Sequence, residues 1–321
     1  MRIIVERKDR FQKILYSYLE KKYPGYTFVY VQGIRHYRKI LENLDKPTDI
    51  ILLQIEESLF DDDYNSLLLA RKKLHDSPIW TKKSFIITNS KKDYELCKDK
   101  FQIVCKPGFF DLLCFSDTVH IDANIDQINF YTGAAYNNNH IGRTELIYYL
   151  KTFVSNKKIS FLKFQDKILI NNIFDSVAFG SVLLAPLPTS YDRWIQKNIF
   201  HLAFENYHHG INADNNFSPT LSEKTFKAMH LMRPCLSFGG TGTRDRLKTL
   251  GFDTWDWLID WSFDQEKDYE KSFKLFVLEL SRLCDLDLKD LKKLLEKNYD
   301  LLEHNKKHIN YLIYNYDKIE L

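Results

Sequence analysis

The chain has 321 residues, 44% of them hydrophobic and 15% aromatic, with 46 Lys and Arg against 43 Asp and Glu for a net charge of +3. That apolar content excludes a disordered chain, and the length exceeds what one ordinary core supports, so two domains of about 150 residues each are expected. The near-balanced charge permits a local basic groove without demanding a nucleic-acid partner, and five scattered cysteines without CxxC spacing exclude a disulfide framework and a zinc knuckle.

Taken in chain order, short apolar runs alternate with amphipathic stretches, the pattern of βαβ units around a parallel sheet. "RIIVE" (2–6), "YTFVYV" (26–31), "DIILLQI" (49–55), "SFIITN" (84–89) and "QIVCK" (102–106) read as strands. Residues 8–22, 34–44, 62–76 and 91–100 read as the helices between them, with "KYPG" (22–25) and "KPG" (106–108) as turns. This is a Rossmann-like half, yet no GxGxxG follows its first strand, so a dinucleotide fingerprint is absent there. Residues 118–141 read as a last strand and an irregular connection rich in Gly and Asn, after which helical period resumes at 142–153. The junction is therefore placed near residue 140, giving domains 1–140 and 141–321. The second half repeats the alternation: strand at 198–205, helix at 221–232, strand at 234–240, helix at 243–250, then helices at 266–283, 286–303 and 305–316. No run approaches a membrane-spanning length and the N-terminus lacks the pattern of a secretory leader, so the expected location is the cytoplasm.

Ligands of open parallel sheets bind beyond the carboxyl ends of the strands. Two segments of the second half sit at such ends. In "FSPTLSEKTF" (217–226), Thr220 and Glu223 have capping-box spacing, and Lys224 adds a full charge to a helix start that already attracts anions. A capped helix with a solvated lysine accounts for the same residues without a ligand. "FGGTGTRDR" (238–246) is a glycine-rich strand-to-helix turn whose Gly240, Thr241 and Gly242 would let backbone approach a phosphate; a turn requiring positive φ accounts for it equally. The acidic runs "DDD" (61–63) and "DLD" (285–287) stand where helices begin and Asp is a favoured cap, and the crowded His201, His208 and His209 have no second ligand pair at zinc spacing. Trp255, Trp257 and Trp261 have the character of core aromatics or of a stacking surface.

"HLAFEN" (201–206) followed by "LSEKTFKAMHLMRPCLSFG" resembles the nucleotide-sugar site of α-1,3-fucosyltransferase-like glycosyltransferases: Phe-Glu-Asn, then Thr-Glu-Lys at a helix start, then a small-Pro-hydrophobic strand. "GTRDRLKTLGFDTWDWLIDWSFD" (242–264) is similar to a segment of phage-encoded and bacterial glycosyltransferases. The resemblance spans about residues 201–264, with a weaker match at 128–150 that contributes Arg143. It implies an α/β fold of two facing Rossmann-like domains, the GT-B architecture, with the donor held by the C-terminal domain and the acceptor by the N-terminal one. By the same resemblance Glu205, Asn206 and Ser222 fall at the donor pocket, Glu223 bonds a ribose hydroxyl, and Lys224 and Arg143 face the diphosphate. Ser222 stands where the family usually has Thr, and the loop "YHHGINADNNFSP" (207–219) is longer and more polar than the family's, so the base and sugar do not carry over.

The expected activity is transfer of a sugar from a UDP- or GDP-linked donor to a hydroxyl, with no obligatory metal. Candidate general bases are Glu56, Glu57 and Asp111, the first two following a strand's carboxyl end; surface charge explains each of them as well. The leading acceptor is a hydroxymethylated base, 5-hydroxymethylcytosine, in phage DNA, which would place the enzyme in the host cytoplasm. Basic runs with interleaved aromatics at 7–13 and 35–40 suit such a partner. A surface or lipid-linked glycan is the second acceptor class, and a nucleotide-binding module without catalysis is the reading outside enzymes. No membrane insertion is expected, and nothing in the sequence identifies a protein partner.

Overall fold

A computed structural model describes residues 2–4, 19–30, 47–54, 64–88, 94–95, 97–105, 124–136, 142–165, 167–172, 195–204, 221 and 223–315. The chain divides into two compact units, Met1–Cys114 with Asp317–Leu321, and Phe115–Tyr316. Each is a mixture of helices and largely parallel strands, so the α/β class read from the sequence holds for both.

In the first unit five strands form one parallel sheet: β1 (Arg2–Ile4), β2 (Thr27–Tyr30), β3 (Ile50–Gln54), β4 (Phe85–Thr88) and β5 (Ile103–Cys105). Ile50, Ile51, Leu52 and Leu53 are all 0% exposed, as a central parallel strand covered on both faces requires. Helix α1 (Tyr64–His75) brings the buried guanidinium of Arg71 to 3.1 Å from the Cys97 thiol. The strands lie in sequential order, β1 to β5, with no reversal. A doubly wound Rossmann order turns back on itself, and among the described residues this sheet shows no such reversal.

The second unit begins with β6 (Thr132–Tyr136), parallel to β7 (Ile159–Phe164), which turns back through Gln165 (φ 53) into antiparallel β8 (Lys167–Asn171). Strands β9 (His201–Phe204) and β10 (Cys235–Phe238) form a parallel pair. Phe130 and Asn198 bridge the two groups in parallel. The N–H groups of Ile199 and Phe200 donate to Phe130 and Tyr131 carbonyls at 2.9 and 3.1 Å. The three-stranded sheet β6-β7-β8 and the two-stranded sheet β9-β10 are thus joined by one isolated bridge; placed side by side through it, the strands read β8-β7-β6-β9-β10, and the chain reverses direction between β6 and β9. This places β6 with the second unit, whereas the sequence put the junction after it, near residue 140. The pairing of Thr132–Tyr136 with β7, a contact within the later part of the chain, decides that.

Helices α2 (Arg143–Phe153), α3 (Glu223–His230), α4 (Thr243–Thr249), α5 (Ser262–Gln265), α6 (Tyr269–Asp285), α7 (Leu288–Lys297) and α8 (Tyr299–Asn315) complete the unit. The side chains of Asp268 and Asp287 cap α6 and α7 by accepting N–H bonds, so Asp287 of the "DLD" run is a helix cap. Asn298 breaks α7 from α8, six residues before the break read from the sequence, with its backbone at φ −108 and ψ 23 and its N–H bonded back into α7. An aromatic cluster closes the core behind β9 and β10. Phe204 packs 5.0 Å from Phe238, which packs 4.8 Å from Phe276 of α6. Trp255 (0% exposed) and Trp261 (5%) belong to that interior. Among the described residues no helix is long and apolar enough to cross a membrane.

Candidate functional site

The reversal between β6 and β9 is a topological switch point, where the connections leaving two neighbouring strands diverge and open a crevice at their carboxyl ends. Tyr136 ends β6, and the chain returns at Gly142 to start α2; Phe204 ends β9. Arg143, the first residue of α2, lies across these ends. Its Nη2 donates to the Phe204 carbonyl at 3.1 Å, and its guanidinium sits over the Tyr136 ring at 5.0 Å. Tyr136 and Phe204 meet edge to face at 6.3 Å. Arg143 is only 3% exposed, so the ion pair and anion chemistry open to it would operate at low dielectric, where a charge acts strongly.

Gly142 makes this placement possible. Its φ of 84 is left-handed, and a Cβ there would lie 2.0 Å from the Tyr269 hydroxyl and 2.8 Å from Phe204 Cζ. Tyr269 of α6 therefore closes one side of the α2 start. Burial, with a contribution from Glu145, pushes its hydroxyl above the usual tyrosine range, so it stays protonated. Gly142 is itself the N-cap of α2 and, lacking a side chain, makes no side-chain capping bond.

Strand β10 runs in register beside β9, Phe238 opposite Phe204, so the turn Gly239–Gly242 emerges at the same edge. Because α3 connects these two parallel strands, its first turn also lies at their carboxyl ends. Helix α3 is described from Glu223, while Thr220 and Ser222, the other residues of the expected helix start, lie outside the described residues. Lys224 follows Glu223, half-buried. Thus the described members of the expected donor set, Arg143, Glu223, Lys224, Gly240, Thr241 and Gly242, come from segments at the carboxyl ends of β6, β9 and β10. Glu205, Asn206, Ser222, Glu56, Glu57 and Asp111 lie outside the described residues.

The glycine-rich turn already holds an anion of the chain's own. Asp264 accepts from the Thr243 and Arg244 N–H groups, each at 2.9 Å, and the Gly242 N–H donates to the Asp264 carbonyl at 3.0 Å. Thr243 closes the turn by donating its hydroxyl to Gly240 O at 2.9 Å. Positive φ at Gly242 (89) is what the turn needs of glycine. A phosphate at the first N–H groups of α4 would have to displace Asp264. Sequence reading missed Asp264, Tyr136 and Tyr269, since each acts across a fold contact that no local motif announces.

Three buried ionisable groups of this unit are shifted from their ordinary values. Burial first, then Lys227 and Lys224, brings the His201 pKa down to about 3; burial, Lys306 and Lys227 bring His230 to about 4. Burial pushes Asp264 up to about 6 against the pull of its N–H bonds. Between about pH 6 and 4 the unfolded chain binds two imidazole protons that the folded chain refuses. The folded chain keeps one carboxyl proton that the unfolded chain has released. The net is one proton in favour of unfolding, so stability falls on acidification by on the order of 1 kcal/mol per pH unit from these three groups. Replacing His201 by Asn flattens that slope in urea titrations run across the window; an unchanged slope would mean that the imidazole titrates normally.

No family model and no curated protein matches the chain. Among the described residues no group of three or more His, Cys, Asp or Glu side chains could hold a metal ion.

Proposed function

We propose that the protein is a glycosyltransferase that binds the diphosphate of a nucleotide sugar at the β6–β9 switch point. The observation that carries this reading is Arg143, buried at the first turn of α2 and bonded to the carbonyl that ends β9. Cleaving a sugar–phosphate bond builds negative charge on the departing nucleoside diphosphate. A fixed guanidinium and a helix N-terminus favour the charge-separated transition state over the ground state. Lys224 at the start of α3 adds a second cation, Glu223 is the ribose contact, and Glu205, Asn206 and Ser222 complete the pocket. Gly240, Thr241 and Gly242 form its backbone wall beside the Asp264-capped turn. On this reading no metal is needed, the GT-B arrangement of two facing Rossmann-like domains applies, and one of Glu56, Glu57 or Asp111 takes the proton of the acceptor hydroxyl.

The acceptor proposed first is hydroxymethylcytosine in DNA, flipped out of its stack so that its hydroxyl reaches the donor; a surface or lipid-linked glycan is second. Ribose and diphosphate are common to UDP and GDP, so the donor base is decided by experiment. In a thermal-shift panel of nucleoside diphosphates, at least one stabilises the protein, by about 2.7 kcal/mol at a hundred times its dissociation constant. Lys224→Ala raises that dissociation constant. Absence of any response removes the reading, and stabilisation without sugar consumption moves it to a binding module.

A further inference from the structure

Away from the switch point, the segment between α4 and α6 folds into an open cleft of about 530 Å³, within the range of small-ligand sites. Its lining includes Arg244, Asp256, Trp257, Asp260, Gln265 and Arg282. Two arginines stand against two aspartates, so the cleft carries no net charge for a polyanion or a polycation to seek. Trp257 is half-buried, whereas Trp261, which also lines the cleft, is only 5% exposed and Trp255 is sealed in the core. The Trp257 ring supplies one apolar plane, held by a 3.3 Å bond from Nε1 to Asp253.

The polar groups around that plane are already fixed. Arg244 grips Asp256 through Nε and Nη2 at 2.9 and 2.6 Å, and Lys248 and Thr254 bond the same carboxylate at 2.9 and 2.8 Å. Arg282 is held by Glu279 and by the Leu258 carbonyl at 2.6 Å, and Asp260 accepts from the Ser262 N–H at 2.9 Å. Each arginine keeps further N–H donors beyond those bonds. Gln265 makes no side-chain bond to any described residue while lining the cleft.

We infer that this cleft is a binding site for a neutral saccharide, distinct from the nucleotide-sugar site proposed at β6–β9. A pyranose ring has an apolar face of C–H groups and a rim of vicinal hydroxyls that both donate and accept. It fits the more exposed aromatic plane of the two lining tryptophans, that of Trp257, bordered by planar guanidinium, carboxylate and amide groups whose net charge is zero. Rigid polar partners lower the ordering cost of binding such a flexible, well-hydrated ligand. The inference stands without the glycosyl-transfer reading; if both hold, the cleft anchors a glycan on the donor-binding unit.

The test titrates the full chain with neutral oligosaccharides of glucose, galactose, mannose and N-acetylglucosamine, followed by intrinsic tryptophan fluorescence. At least one gives a saturable change. Trp257→Ala and Gln265→Ala weaken it, the former by about tenfold, the loss expected of an aromatic stacking contact. Trp257→Phe keeps a ring and retains most of the affinity, which separates stacking from misfolding. No saturable response to any of the four, or equal affinity in both alanine variants, overturns the inference. Nucleoside diphosphate stabilisation persists in Trp257→Ala. Its absence from the unmodified protein would count against the donor site alone, and its specific loss in Trp257→Ala would make the cleft part of the nucleotide site.

Discussion

If the proposed glycosyl transfer holds, Arg143→Ala lowers nucleotide-sugar turnover by about 10²–10³-fold, the scale of removing one preorganised group that meets developing negative charge. The side chain is 3% exposed and reaches the Phe204 carbonyl at 3.1 Å, so its charge is fixed before substrate arrives and needs no reorganisation during reaction. Truncation also leaves that carbonyl without this donor, at a stability cost of about 1–3 kcal/mol. Arg143→Lys restores the charge but not the planar fork, and recovers part of the rate. Release of nucleoside diphosphate from UDP- and GDP-sugars, measured alongside thermal melting, separates the two effects. Full activity in a cooperatively melting Arg143→Ala variant, repeated in Lys224→Ala, would place the diphosphate elsewhere.

The largest stability effect belongs to Gly142→Ala. A methyl group there meets the Tyr269 hydroxyl at 2.0 Å and Phe204 at 2.8 Å, on a backbone with φ of 84 that suits glycine. Overpacking and left-handed strain together cost roughly 2–6 kcal/mol, read as a fall in melting temperature on the order of 10 °C. Tyr269→Phe removes the closest clashing atom. The double variant is therefore more stable than the sum of the single effects predicts, with a coupling of about 1–3 kcal/mol. Simple additivity would show that α2 shifts away from Tyr269 instead of pressing on it. Because Gly142 positions Arg143, the single variant also loses nucleotide affinity in proportion to how far the α2 start moves.

Much of the secondary structure is legible locally. β2, β3, β4, β9 and β10 fall within predicted strands because uninterrupted runs such as "IILL" are stable only where both faces of a sheet are covered. The hairpin β7–β8 escaped, although "ISFLKF" and "KILIN" are rich in strand-forming residues. Its turn through Gln165 lacks the glycine or asparagine that usually marks such a site. The α7–α8 break was displaced because helical periodicity continues across Asn298, and only its backbone geometry ends the helix.

The sequence by itself determined the alternation of strands and helices, the glycine at the start of α2, and the charged types at 143 and 224. These follow from periodicity and from side-chain chemistry, which act within a few residues. Only the tertiary structure decided that β6 pairs with β7 and stands beside β9, that the strand order therefore reverses there, and that Arg143 spans the reversal to Phe204. It also decided that Asp264, 21 residues after Thr243, fills the glycine-rich turn, and that Trp257 is the half-buried member of its tryptophan trio. The physical reason is common to all of these: strand order and burial are set by which apolar faces cover one another across long loops. That competition among distant segments has no local periodicity to betray its outcome.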